Sequence, residues 1–137
     1  MKIYMAGPLF TQGERDFNAV VAAKLRAKGY EVYLPQEQTY AEGPDRTGRI
    51  YRNDLDHVSH CDAVVAMCEY QQVDDGTAWE LGYATALGKK IFALRTDQRV
   101  VKPDEQINLM ILMSLAAKPF SDVDSLVDAL SRAIPPR

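Results

Sequence analysis

Short apolar runs alternate with helix-spaced segments along most of this chain, and that alternation narrows the folds open to it. Lys2–Met5, Glu31–Leu34, Asp62–Met67 and Lys90–Leu94 read as strands, with Lys118–Phe120 as a short fifth. Between and after them, Glu14–Lys28, Arg49–His60, Thr77–Leu87, Ile107–Leu115 and Asp122–Ala133 read as helices. In the first helix the spacing predicts one buried face of Phe17, Val20, Val21, Lys24 and Leu25. Ser121-Asp-Val-Asp124 has the form of a capping box for the last. Strands alternating with helices predict a parallel sheet covered on both faces and joined by right-handed crossovers. The expected architecture is therefore α/β: a flavodoxin-like, doubly wound parallel sheet of about five strands.

At 137 residues the chain suits one domain, 1–137, and 47% hydrophobic content supports a substantial core. A net charge of −3 argues against general binding to nucleic acid or anionic membranes. Arg46, Arg49 and Arg52 are interleaved with Asp45, Asp54 and Asp56, as expected of a solvated helix face. No run approaches the roughly 18 apolar residues of a membrane span. Because a strand-like segment begins at Lys2, no signal peptide is expected and cytoplasmic residence follows. Cys61 and Cys68 match no metal or redox spacing, and His57 and His60 nearby lack a second ligand pair, so packing roles are expected.

The segment Asp74-Asp-Gly-Thr-Ala-Trp-Glu80 joins the third strand to the third helix. With Glu80 in the first helical turn, unpaired N–H groups would keep its carboxylate ionised, as a nucleophile requires. A plainer reading is also open: Thr77-Ala-Trp-Glu80 has the form of a capping box. Ligands of such sheets bind beyond the carboxyl ends of the strands. Tyr4 with Ala6–Phe10, the trio Gln36, Glu37 and Gln38, Glu69–Asp75 and Asn108 all fall on that edge. A cap alone does not explain this polar company, which moves Glu80 toward catalysis.

Five ordered segments together resemble the nucleoside 2-deoxyribosyltransferase family. They are Tyr4-Met-Ala-Gly-Pro8, Asn53-Asp-Leu55, Cys61-Asp-Ala-Val-Val65, Asp74 through Gly82, and Asn108-Leu-Met110. The resemblance implies transfer of 2-deoxyribose between nucleobases by a retaining double displacement through a covalent deoxyribosyl-glutamate. Glu80 would be the nucleophile, Asp54 the acid and then the base, and Tyr4 the residue holding the nucleophile. Asp74 and Asn108 would bind the sugar 5′-hydroxyl, and Gly7, Phe10 and Met110 would complete the substrate pocket. The family's Asn-x-Met segment comes from a neighbouring subunit, so a homo-oligomer is implied, with deoxyribonucleosides and free bases as its small-molecule partners. No metal or organic cofactor is implied.

Each residue also has a structural reading. Asp54 could be solvated, Tyr4 a core residue, Asp74 a turn former, Asn108 a helix cap, and Met110 with Met113 an apolar stripe. The chain departs from some family members in retaining only Phe10 of an aromatic pair after the first strand. Which of Gln36, Glu37 and Gln38 contacts the base is left open. Two other functions compete: a 2′-deoxynucleoside 5′-monophosphate N-glycosidase and a non-catalytic nucleotide-sensing module. A carboxylate at Asp74 would repel a 5′-phosphate, which favours free nucleosides.

Overall fold

The computed structural model describes residues 1–99 and 107–136. Four parallel strands, β1 (Lys2–Ala6), β2 (Glu31–Tyr33), β3 (Ala63–Met67) and β4 (Lys90–Leu94), lie in the order β2-β1-β3-β4. Among the described residues the expected fifth strand is reduced to one parallel bridge, Leu94 to Phe120. The α-helices among the described residues are α1 (Gln12–Ala27), α2 (Arg46–His60), α3 (Asp75–Ala86), α4 (Leu109–Ser114) and α5 (Val123–Ala133). The sequence-predicted linker at 95–106 lies partly outside the described residues.

Alternation along the strands divides the core in two. Ile3, Met5, Val65, Phe92 and Leu94 point to one face, where Val21, Ala22 and Leu25 of α1 and Leu126, Val127 and Leu130 of α5 cover them. Tyr4, Ala6, Val64, Ala66, Ile91 and Ala93 point to the other, under Val58 of α2 and Leu81 and Ala84 of α3. The chain leaves β1 toward β2, then returns across it to β3. That reversal opens a crevice between the carboxyl ends of β1 and β3.

Several helix boundaries differ from expectation because side-chain caps override apolar periodicity. Thr11 caps α1, with Glu14 closing the box, so the helix starts earlier than Glu14. Val20 and Lys24, expected inside, are exposed, while Asn18 and Ala22 are buried in their place. Asp122, rather than Ser121, caps α5 by accepting from the Ser125 N–H. The basic residues of α2 are tied locally: Arg46 pairs with Glu42 and Arg52 with Asp45. Cys61 and Cys68 are free and buried.

Candidate active site

Parallel register sets Tyr4 of β1 beside Tyr33 of β2 and Val64 of β3, on the face covered by α2 and α3. Tyr4 is fully buried, and its hydroxyl donates to Glu80 Oε1 at 2.5 Å. A core role and a polar role therefore coexist in this one residue. Burial and the adjacent Glu80 carboxylate hold the phenol far above its ordinary pKa, so it serves as a fixed donor.

Glu80 is not a capping residue. Asp74 caps α3, its Oδ2 accepting from the Thr77 N–H at 3.0 Å and from the Thr77 hydroxyl at 3.2 Å. The Thr77–Glu80 capping box that the spacing also allowed does not form, since the Asp74 carboxylate, three residues earlier, takes the free N–H groups. Glu80 becomes the sixth residue of α3 and turns toward the sheet. Its ionisation differs from expectation as well. Burial, with Asp54 and Asp74 adding repulsion, raises its pKa to about 7 against the lowering effect of Tyr4.

Asp54 comes from the middle of α2 and is half-buried, not solvated. Its Oδ1 accepts from the Tyr33 hydroxyl at 2.7 Å. Burial raises its pKa, opposed by that hydrogen bond and by His57. A cleft of about 320 Å³ opens over Asp54 and Glu80, walled by Tyr51, Leu55, Val58, Gly76 and Trp79. Small-molecule pockets span roughly 300–1,000 Å³, so the cleft is of the right order for a nucleoside-sized ligand. A second cavity, of about 240 Å³, lies at the opposite edge near Lys2, Glu31 and His60, away from the paired carboxylates.

Tyr4, Asp54, Asp74 and Glu80 are thus brought together, and the remaining expected site residues are not. Gly7 lies close against Met67: a Cβ there would sit 2.7 Å from the Met67 side chain, which is reason enough for glycine. Phe10 is 73% exposed and does not line the cleft. Asn108 caps α4 by accepting from the Met110 N–H. Met110 is 80% exposed, on a helix that packs against α3. Of the undecided trio, Gln36 is bound to Asn18 and the Arg15 carbonyl, and Glu37 is clamped by Arg26. Gln38 makes one long contact, 3.4 Å to the Leu34 carbonyl, and retains the most free polar capacity.

Sequence reasoning missed Tyr33, which occupies the third position of β2 as Tyr4 does of β1. Two parallel strands starting in register would have placed the rings side by side. It also missed the aromatic mouth of the cleft, where Tyr51 meets Trp79 edge-on at 6.0 Å and Trp79 stacks on Tyr83. Residues 51 and 79 are far apart in sequence, and only helix packing joins them.

Comparison with known proteins places this geometry. The family model described as Nucleoside 2-deoxyribosyltransferase matches residues 3–113. The structure of a 2-deoxyribosyltransferase from Bacillus psychrosaccharolyticus superimposes with a TM-score of 0.80 at 28% identity, covering 93% of this chain and 91% of that one. A conserved protein from Enterococcus faecalis gives a TM-score of 0.85 at 27% identity, covering 98% and 99%. A Thermofilum pendens protein provisionally named 2′-deoxynucleoside 5′-phosphate N-hydrolase 1 is 25% identical over 141 residues, 98% of this chain and 96% of that protein. A match over most of the chain, with the same fold in solved structures, settles the affiliation: this protein belongs to the nucleoside 2-deoxyribosyltransferase family.

Proposed function

We propose that this protein transfers 2-deoxyribose between nucleobases, with Glu80 as nucleophile and Asp54 as the proton donor and acceptor. The observation that carries the reading is the 2.5 Å contact from Tyr4 to one oxygen of Glu80, in a cleft that Asp54 also lines. Tyr4 orients the carboxylate and leaves Oε2 to attack C1′ of the nucleoside. As the C1′–Oε2 bond forms, the C1′–N bond breaks; its electron pair goes to the base, which takes the Asp54 proton. An incoming base then attacks C1′ from the vacated side and gives its proton to Asp54, and Glu80 leaves with the ester electron pair. Two displacements retain configuration, with two carboxyl groups in distinct roles.

Asp74 favours nucleosides over nucleotides. Its carboxylate occupies the first-turn N–H of α3, where a 5′-phosphate would otherwise find positive potential, and it adds like charge. Of Gln36, Glu37 and Gln38, it is Gln38 that retains the most free polar capacity with which to read a base edge. Apolar exposure on α4 (Leu109, Met110 and Met113) supports a homo-oligomer in which Asn108 and Met110 complete a neighbour's site.

The second reading is hydrolysis of deoxynucleoside monophosphates, favoured by the likeness to the Thermofilum protein. A chromatographic assay with deoxyinosine, with and without free adenine or cytosine, separates the two. A new deoxynucleoside is the expected product. Free hypoxanthine alone, with faster turnover of the monophosphate, would replace transfer by hydrolysis. No turnover, together with ligand affinity unchanged by Glu80→Ala, would make the protein a sensor.

A further inference from the structure

The Asp54 carboxyl group belongs to a hydrogen-bonded chain that the reaction above does not use. Tyr33 donates to Asp54 Oδ1 at 2.7 Å. The Tyr33 oxygen accepts from Asn53 Nδ2 at 2.7 Å, and the same amide nitrogen donates to the Tyr40 hydroxyl at 2.7 Å. The Tyr33 ring is itself held, stacked on Tyr4 at 5.4 Å and on His57 at 3.7 Å. His57 is fixed in turn by its Nδ1–H, which donates to the Asn53 carbonyl at 2.8 Å; a carbonyl can only accept, so the tautomer is determined.

A phenol has one proton to give. Because Asn53 donates to the Tyr33 oxygen, that proton is directed at Asp54 rather than shared around the network. Asp54 Oδ1 is therefore reserved as an acceptor, and a proton carried by Asp54 resides on Oδ2. Among the described residues, no second protein donor reaches this carboxyl group. We propose that Tyr33, held by Asn53 and Tyr40, is a positioning residue for the general acid: it sets the Asp54 rotamer and places the transferable proton on Oδ2. This rests on Asp54 acting as the acid in the reading above. Tyr40 stands between the 3-10 turn at Pro35–Glu37 and α2, so the chain also ties the loop after β2 to the acid.

The test is steady-state kinetics of the parent, Asp54→Asn and Tyr33→Phe over purine 2′-deoxynucleosides with leaving bases of graded acidity, ending with an N7-methylated cation that departs unprotonated. Asp54→Asn is expected to slow the poorest leaving groups most. Tyr33→Phe keeps both ring stacks and should follow the same slope, losing about 10–100-fold in kcat for the poorest leaving groups. It should recover toward the parent rate for the cation, with KM within about twofold throughout. An equal loss across the series, a loss confined to KM, or no loss would overturn the proposal. A flat series for Asp54→Asn would instead overturn the acid reading, and the proposal with it. Thermal unfolding checks each variant. If Tyr33→Phe does not fold, Tyr40→Phe carries the test, with the same slope expected at about 2–10-fold, and a flat response there overturning the proposal.

Discussion

The two faces of the sheet are built from the same strands by alternation, yet they are furnished very differently. The face under α1 and α5 is filled by large aliphatic and aromatic side chains, among them Met5, Leu25, Phe92, Leu94, Leu126 and Leu130. The face under α2 and α3 carries alanines at 6, 66 and 93 with Ala84 of α3 above them, and its buried tyrosine, Tyr4, turns its hydroxyl to a carboxylate, whereas Tyr30 on the first face bonds a backbone carbonyl. Small residues let the helices approach, and Tyr4 passes through that layer to meet Glu80. One face thus supplies cohesion, while the other gives up apolar contact to hold three carboxylates near one another. Stability and chemistry are separated by the direction in which successive strand residues point.

Paired substitutions on the two faces can break that separation. Glu80→Ala should abolish base exchange, by about 10⁴-fold or more, and leave thermal stability near the parent's, because it removes the proposed nucleophile without opening the aliphatic core. Substantial exchange by this variant would end the covalent mechanism. Leu126→Ala on the opposite face should do the reverse. Its fully buried side chain leaves a cavity costing about 2–5 kcal/mol, read by denaturant unfolding, while kcat per folded molecule stays unchanged. A fall in kcat at full folding would show that the faces are coupled.

A smaller effect is expected at Asp74. Replacement by serine removes the charge but keeps a capping oxygen, so the preference for nucleosides over their 5′-monophosphates should shrink by about 5–100-fold. An unchanged ratio would place the 5′ carbon elsewhere.

The raised Glu80 pKa adds a pH signature to the same face. A nucleophile must be ionised, so kcat/KM should fall about tenfold per pH unit below roughly 7, the value to which burial and the neighbouring aspartates raise Glu80. A rate flat down to pH 5 would contradict this. Stability runs the other way. The folded protein holds the Glu80 proton more tightly than the unfolded chain, whose ordinary value is 4.5. That contribution is complete below about 4.5 and is lost as pH rises through about 7. Glu80→Gln should therefore melt close to the parent at pH 5 and higher at pH 8, by about 5–10 °C. Equal melting at both pH values would mean the ionised carboxylate is not disfavoured by the fold.

Much of the architecture was legible because periodicity two and periodicity 3.6 alternate so regularly, and burial enforces both. Helix starts were less legible. Asp74, Thr11 and Asp122 each capture backbone N–H groups, and a cap depends on side-chain reach rather than on the apolar pattern that announces the helix. Glu80, Asp54, Tyr4 and Asp74 could be named from ordered motifs, whereas Tyr33, Tyr51 and Trp79 belong to no motif and enter through register and helix packing.

The sequence alone determined the alternating fold, the sheet edge on which chemistry would gather and the residue types gathered there, since all three follow from local pattern and chain order. Only the tertiary structure decided that Glu80 accepts from Tyr4 instead of capping a helix, that burial and its neighbours raise its pKa to about 7, and that Asp54 accepts a hydrogen bond from Tyr33. Those outcomes depend on distances between residues remote in sequence and on how much water the packed helices exclude from each carboxylate. A linear pattern encodes neither.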